Sequence, residues 1–201
     1  MNDALHILLL RHGQTDANAA NIVQGHQSTP LNAIGKEQAI KLARRLANWQ
    51  PRIEIVISSD LPRAMQTAEP IAAATGAPLI IDAAWRERHF GEMEGKTVEP
   101  NQVWSFASGD VVLPGAEQYA QFHQRVRDAL LSIRSRAGEK RVVAVLTHGG
   151  PCRAILRMLV DGRLPLAENQ PPPEIVPILN CSIMHLIQTS GRWQLQCLND
   201  A

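Results

Sequence analysis

The sequence predicts an α/β fold built on a largely parallel sheet, and three observations predict it. Short apolar runs recur along the chain; stretches with apolar residues at three- and four-residue steps lie between them; and the runs are almost continuously apolar instead of alternating. Continuous apolarity marks strands covered on both faces, as in a parallel sheet flanked by helices. With 201 residues, 45% of them hydrophobic, the chain suffices for one packed core, and a single domain over residues 1–201 is expected.

ALHILLL (residues 4–10) reads as the first strand. After the loop NIVQGHQSTPL, Asn32 is the expected N-cap of a helix to residue 48, in which Ala39, Leu42, Ala43 and Leu46 keep the helical step until Pro51 stops it. IEIVISS (53–59) is a second strand. The helix after it (62–76) has Pro62 in its first turn, Gly76 past its end and Pro70 inside, where a kink is expected. PLIID is a short third strand, and residues 83–115 are irregular, a length that usually signals function or local structure. Tyr119, Phe122, Val126, Ala129, Leu130 and Ile133 form one apolar stripe between Glu117 and Ala137, with Gly138 as the stop. RVVAVLT (141–147) is the fourth strand and PCRAILRMLV (151–160) a helix opened by Pro151. The proline-rich NQPPPEIVP leads to NCSIMHLIQTSGRWQLQCL, which alternates around Ser190-Gly191 and reads as a closing hairpin.

Composition narrows the partners. Twenty Lys and Arg against 19 Asp and Glu give a net charge of +1, so no general attraction to nucleic acid or anionic membranes is expected, and any anion specificity is local. Three cysteines without a CxxC spacing argue against a disulfide framework or a cysteine metal site. MNDALHILLLRHG lacks a basic region ahead of an apolar stretch of about six residues, far short of the roughly 20 that span a bilayer. Reduced thiols and a cytoplasmic location are expected.

The polar residues that follow the strands are the informative ones. Arg11 and His12 follow the first strand, Arg63 the second, Glu87 the third and His148 the fourth. Each alone has an ordinary structural reading, as a helix-turn arginine, a capping histidine or a solvated carboxylate. In an open parallel sheet, however, the carboxyl ends of the strands form one rim, where ligands bind. Two arginines there can grip a phosphate with bidentate charge-assisted bonds, and Gly149, Gly150 and Pro151 open a helix whose N–H groups can aim at the same anion. A neutral imidazole is a nucleophile for phosphorus when its other nitrogen donates to a carbonyl, and Glu87 can protonate the leaving oxygen and later take a proton from water. No metal and no cofactor are required, because cationic side chains spread over the phosphoryl oxygens.

LRHGQTDAN resembles the RHG signature of the histidine phosphatase superfamily, the phosphoglycerate mutase-like enzymes. NIVQGHQSTPLNAIGKEQA, SSDLPRAMQTAEPIA, WRERHFGEMEGKT, LTHGGPCRAIL and NCSIMHLI resemble further segments of that family in the right order. The resemblance implies a three-layer α/β/α sandwich around a mostly parallel central sheet. It implies His12 as the phosphorylated nucleophile, Arg11, Arg63 and His148 as the phosphate pocket, and Glu87 as the proton donor. Asn18, Gln24 and Gly25 match positions lining that pocket, and Gly149 a backbone N–H donor. Gln14 stands where glutamate is frequent, and PGAEQ where PGGES-like stretches are common; both are expected to affect the rim more than the chemistry.

The family holds phosphatases and mutases. ERHFG is similar to the ERHYG of cofactor-dependent phosphoglycerate mutases, which points to a carboxylated substrate touching Arg88, whereas the short chain favours a phosphatase. The expected partners are a small phosphorylated metabolite and inorganic phosphate, with a homodimer as the one macromolecular assembly left open. Trp85, Trp104, Phe106 and His26 are expected to shape the mouth, as core or loop packing more than as substrate contacts. A metallohydrolase would need an HExxH or HxH spacing that is missing. A non-catalytic sensing or interaction protein on this fold would be expected to lack the nucleophile or the acid, and both are present.

Overall fold

The computed structural model describes residues 4–99 and 113–201. Strands β1 (Leu5–Arg11), β2 (Ile55–Ser58), β3 (Leu79–Ile81), β4 (Val142–Thr147), β5 (Ile183–Thr189) and β6 (Arg192–Asp200) form one sheet in the order β3-β2-β4-β1-β5-β6. β1 pairs in parallel with β4, and β2 with both β4 and β3, whereas β5 runs antiparallel to β1 and to β6. The fold is α/β with a mostly parallel sheet, and β6 with β5 closes it as the expected hairpin around Ser190-Gly191.

The continuous apolarity of the strands is explained by the two cores. Leu5, Ile7 and Leu9 of β1, with Ile57, Val143 and Val145, pack against helices α4 (Tyr119–Ala137) and α5 (Gly149–Val160) through Phe122, Val126, Ile133, Ile155 and Met158. Leu8 and Leu10, with Val56, Ala144 and Leu146, face α2 (Ala33–Ala47) and α3 (Pro62–Thr75) through Leu42, Leu46, Ala68 and Ile71. Successive residues of one strand thus serve opposite layers, and each fully buried Leu or Ile contributes about 1.5–3 kcal/mol of apolar transfer.

Asn32 caps α2 by accepting from Gly35 N at 2.8 Å, as expected. α3 runs as one element through Pro70 to Thr75, and Gly76 ends it in the left-handed region at φ 67°. α5 begins two residues before Pro151, with His148 as its N-cap, so that proline occupies a first-turn position where its missing N–H costs nothing. A short α1 (Asp16–Ala19), closed by a capping box between Thr15 and Asn18, was not expected. The described part of residues 83–115 carries two 3-10 turns, Ala83–Trp85 and Gly91–Met93. Trp85 is fully buried in the core, as packing more than contact was expected of it, and Trp104 and Phe106 lie outside the described residues. Among the described residues no helix is long and apolar enough to cross a membrane.

Candidate active site

The carboxyl ends of β1, β2 and β4 and the segment after β3 meet at a cavity of ≈ 330 Å³. Arg11, His12, Asn18, Gln24, Gly25, Arg63, Glu87 and Gly149 all line it, so most of the residues expected at the rim are brought together. β1 carries Arg11 as its last residue and hands His12 directly to the loop, whose backbone stays tied to the sheet: His12 N donates to Thr147 O at 3.1 Å, and Gly13 N to Thr67 Oγ1 at 3.0 Å.

His12 is 3% exposed. Its Nδ1 donates to Gly13 O at 2.7 Å, which leaves Nε2 as the unprotonated nitrogen. Burial, then the nearby Arg63 and Arg11 cations, hold its pKa well below 6.5, against a smaller upward pull from the Gly13 carbonyl. The imidazole is therefore neutral at physiological pH. His148 is fully buried with its ring centroid 5.1 Å from that of His12 and is not itself among the lining residues. Its Nε2 bonds Ser59 Oγ at 2.8 Å, while Nδ1 has no hydrogen-bond partner. Burial and the same arginines keep it neutral too.

Arg63, 1% exposed, is fixed by carbonyls: Nη2 donates to Gly25 O at 2.8 Å, and Nη1 to Gln27 O at 3.0 Å and Thr29 Oγ1 at 3.2 Å. Arg11 Nη1 donates to Ile178 O. The Nε–H of each arginine is buried without a partner, and neither arginine forms an ion pair among the described residues. Burial lowers both pKa values to about 10; the neighbouring Arg153 adds to this at Arg11, and Arg11 does so at Arg63. Two desolvated guanidiniums with no ion-paired carboxylate among the described residues form a strong anion site, with the Glu87 carboxylate acting on both only at longer range.

Glu87 reaches across from the segment after β3. Its Oε2 accepts from Gly150 N at 2.9 Å and its Oε1 from Arg88 N at 2.9 Å. Asn18 Oδ1 accepts from Thr15 N at 3.1 Å and Asn180 Nδ2 at 3.3 Å, and Gln24 Oε1 from Thr15 and Thr29 hydroxyls at 3.0 and 2.7 Å. His26 is a scaffold residue whose Nε2 donates to Glu87 O at 2.8 Å.

Arg88 is placed elsewhere. Its Nε donates to Glu117 O at 2.9 Å, its guanidinium lies over Phe90 and Tyr119, and it does not line the cavity. Two neighbours of one backbone point apart: Glu87 takes the rim, so Arg88 takes the packed side. Several contributors are given no role of their own in the sequence reading, although their segments are: Asn180, whose Nδ2 donates to His12 O at 2.9 Å, Ser59 behind His148, and Gly150, whose N–H goes to Glu87 rather than to the anion. Pro177, Ile178 and Asn180 reach the cavity from the end of the proline-rich connection and the residues between it and β5. Among the described residues no cluster of three or more His, Cys, Asp or Glu could hold a metal ion.

The family model of the histidine phosphatase superfamily (branch 1) matches residues 7–201. The chain is 34% identical over 209 residues to phosphoglycerate mutase-like protein 4 of Arabidopsis thaliana, covering 98% of this chain and 86% of that one. It is 38% identical over 164 residues to the metal-independent phosphoserine phosphatase of the same plant, covering 77% and 68%. The solved structure of a mycobacterial glucosyl-3-phosphoglycerate phosphatase complexed with VO3 aligns with a TM-score of 0.81 at 27% identity, over 98% of this chain and all of that one (100%).

Proposed function

This chain belongs to the histidine phosphatase superfamily and is a phosphatase of that type, and we propose that it hydrolyses a small phosphomonoester through a phosphohistidine on His12. The observation that carries the proposal is the His12 Nδ1–Gly13 O bond, which leaves Nε2 free beside Arg11, Arg63 and Glu87 in one cavity.

In the first step His12 Nε2 attacks phosphorus, the ester P–O bond breaks, and Glu87 gives its proton to the departing oxygen. Arg11 and Arg63 hold the phosphoryl oxygens; the buried Nδ1 of His148 and the Gly149 N–H are further donors to them. Ser59 O–H donating to His148 Nε2 would put the imidazole proton on Nδ1, where an oxyanion needs it. In the second step water attacks the phosphohistidine, Glu87 takes its proton, and the N–P bond breaks to release inorganic phosphate. Asn18 and Gln24 orient the ester at the cavity wall.

The apolar residues Ile22, Val23, Phe90 and Val98 on that wall favour a leaving group with some carbon surface. The carboxylate-binding role expected of Arg88 loses its support, because the guanidinium is engaged at Glu117 O. With it goes the residue reason for a mutase.

Hydrolysis of an aryl phosphate should survive EDTA, be inhibited by vanadate and vanish in His12→Ala. EDTA-sensitive turnover would sink the metal-free mechanism, and interconversion of 3- and 2-phosphoglycerate without phosphate release would identify a mutase. kcat/KM should follow a bell-shaped pH profile, because His12 must be neutral and Glu87 protonated in the first step. The depressed His12 pKa puts the acid limb below 6.5; a rate still rising at pH 9 would contradict Glu87 as the acid.

A further inference from the structure

Arg125 lies on α4, outside the cavity, yet every N–H of its guanidinium is used on the segment that carries Glu87 or on a counter-ion. Nη1 donates to Ala84 O at 2.9 Å and Arg86 O at 3.0 Å, and Nη2 to Glu87 O at 3.2 Å. Nε and Nη2 donate to the two carboxylate oxygens of Glu117 at 2.9 and 2.7 Å. A guanidinium has five such donors in a rigid fork, and all are matched. Trp85 O, the carbonyl that Arg125 skips, accepts from Thr147 Oγ1 at 2.7 Å on β4. Four successive carbonyls are thus fixed by side chains, three of them by Arg125 and one by Thr147, with His26 Nε2 also donating to Glu87 O at 2.8 Å.

We propose that Arg125, neutralised by Glu117, is the positioning residue of the proton-transfer step, holding the backbone of Ala84 to Glu87 so that the Glu87 carboxyl stands at the leaving oxygen. The role extends to PGAEQ, the stretch that sequence reading assigns to the rim. Its Glu117 also joins the segment through its main chain, with Glu117 N donating to His89 O at 3.0 Å and Glu117 O accepting from Arg88 Nε. Lysine, with three donors and no fork, cannot replace the arginine. The inference rests on Glu87 being the proton donor.

The test compares two substrates of the full chain by kcat/KM, which reports phosphoryl transfer to His12. p-Nitrophenyl phosphate expels a stable phenolate without a proton, whereas an alkyl phosphate such as phosphoserine needs one. A misplaced acid should therefore damage only the second. Arg125→Lys is expected to lower kcat/KM for phosphoserine about 10- to 100-fold, the scale of an ångström-sized misplacement, and for the aryl ester less than about threefold. Glu117→Gln, which removes the counter-charge but keeps the arginine, should show a smaller loss with the same selectivity, and it serves if Arg125→Lys does not fold. Equal losses on both substrates, or none, would overturn the proposal, since a merely structural role moves both together. Glu87→Gln separates the two levels. If it too fails to discriminate between the substrates, Glu87 is not the donor; if it discriminates while the Arg125 and Glu117 variants do not, the positioning role alone fails.

Discussion

At Gly150 the active site depends on the absence of one methyl group. A Cβ there would lie 1.8 Å from Glu87 Oε1, in the space the carboxylate uses to accept the Gly150 N–H. The obstructed atom is the tip of a flexible side chain, so Gly150→Ala is expected to fold with nearly unchanged Tm. The expelled carboxyl should cost about 10²-fold in kcat/KM on an alkyl phosphate, the low end of general acid catalysis; an unchanged rate would remove Glu87 from the mechanism. At this scale the sequence is legible where chemistry is carried by side-chain type. Arg11, His12, Arg63 and Glu87 announce themselves by following strands. Gly150 is legible as part of a helix opening but not as the donor to Glu87, because residue identity does not say where a backbone N–H points, and Arg88 misleads because the direction of a side chain is set by the packing of its neighbours.

The elements position this chemistry through one very close contact. A Cβ on Gly35 would meet Gln14 O at 2.0 Å and Gln14 N at 2.8 Å, and one on Gly13 would meet Gly35 O at 2.5 Å, so the first turn of α2 rests directly on the loop that carries His12. These neighbours are backbone atoms and cannot swing aside. Gly35→Ala should therefore destabilise the protein by about 1–3 kcal/mol, read as a fall in Tm of several degrees, with a parallel loss of activity; wild-type Tm would show that the loop yields. The strands and most helices are readable from period and composition. The passage of α3 through Pro70 is read there too, whereas the start of α5 at Gly149, two residues before Pro151, is not, since tertiary packing decides it. Nor is the order of residues 84–87, where Arg125, from an element about forty residues away in sequence, bonds three of the four carbonyls.

Over the whole molecule, burial of imidazoles sets the response to acid. Burial lowers the pKa of His123 and His185 to about 4, and it lowers His6, His12 and His148 as well. A histidine whose folded pKa lies below its unfolded value of about 6.5 is neutral in the folded chain while the unfolded chain binds a proton, so its contribution to stability is complete above pH 6.5 and is lost as pH falls toward 4. Tm should be level from pH 8 to 7 and decline steadily from 6.5 to 4.5; a rise over that window would show that these rings gain rather than lose partners on protonation. The three layers and the sheet were legible because parallel strands need cover on both sides, whereas the acid response was not, since it depends on which histidines the layers enclose. The unpaired guanidiniums of Arg11 and Arg63 have a consequence beyond catalysis. A cup that attracts phosphoryl groups by leaving two cations without an ion-paired carboxylate does not distinguish the ester from the free anion that hydrolysis leaves behind. Inorganic phosphate should therefore raise Tm with its concentration and compete with substrate, so that turnover slows as product accumulates and the rate reads the ratio of ester to phosphate in its surroundings.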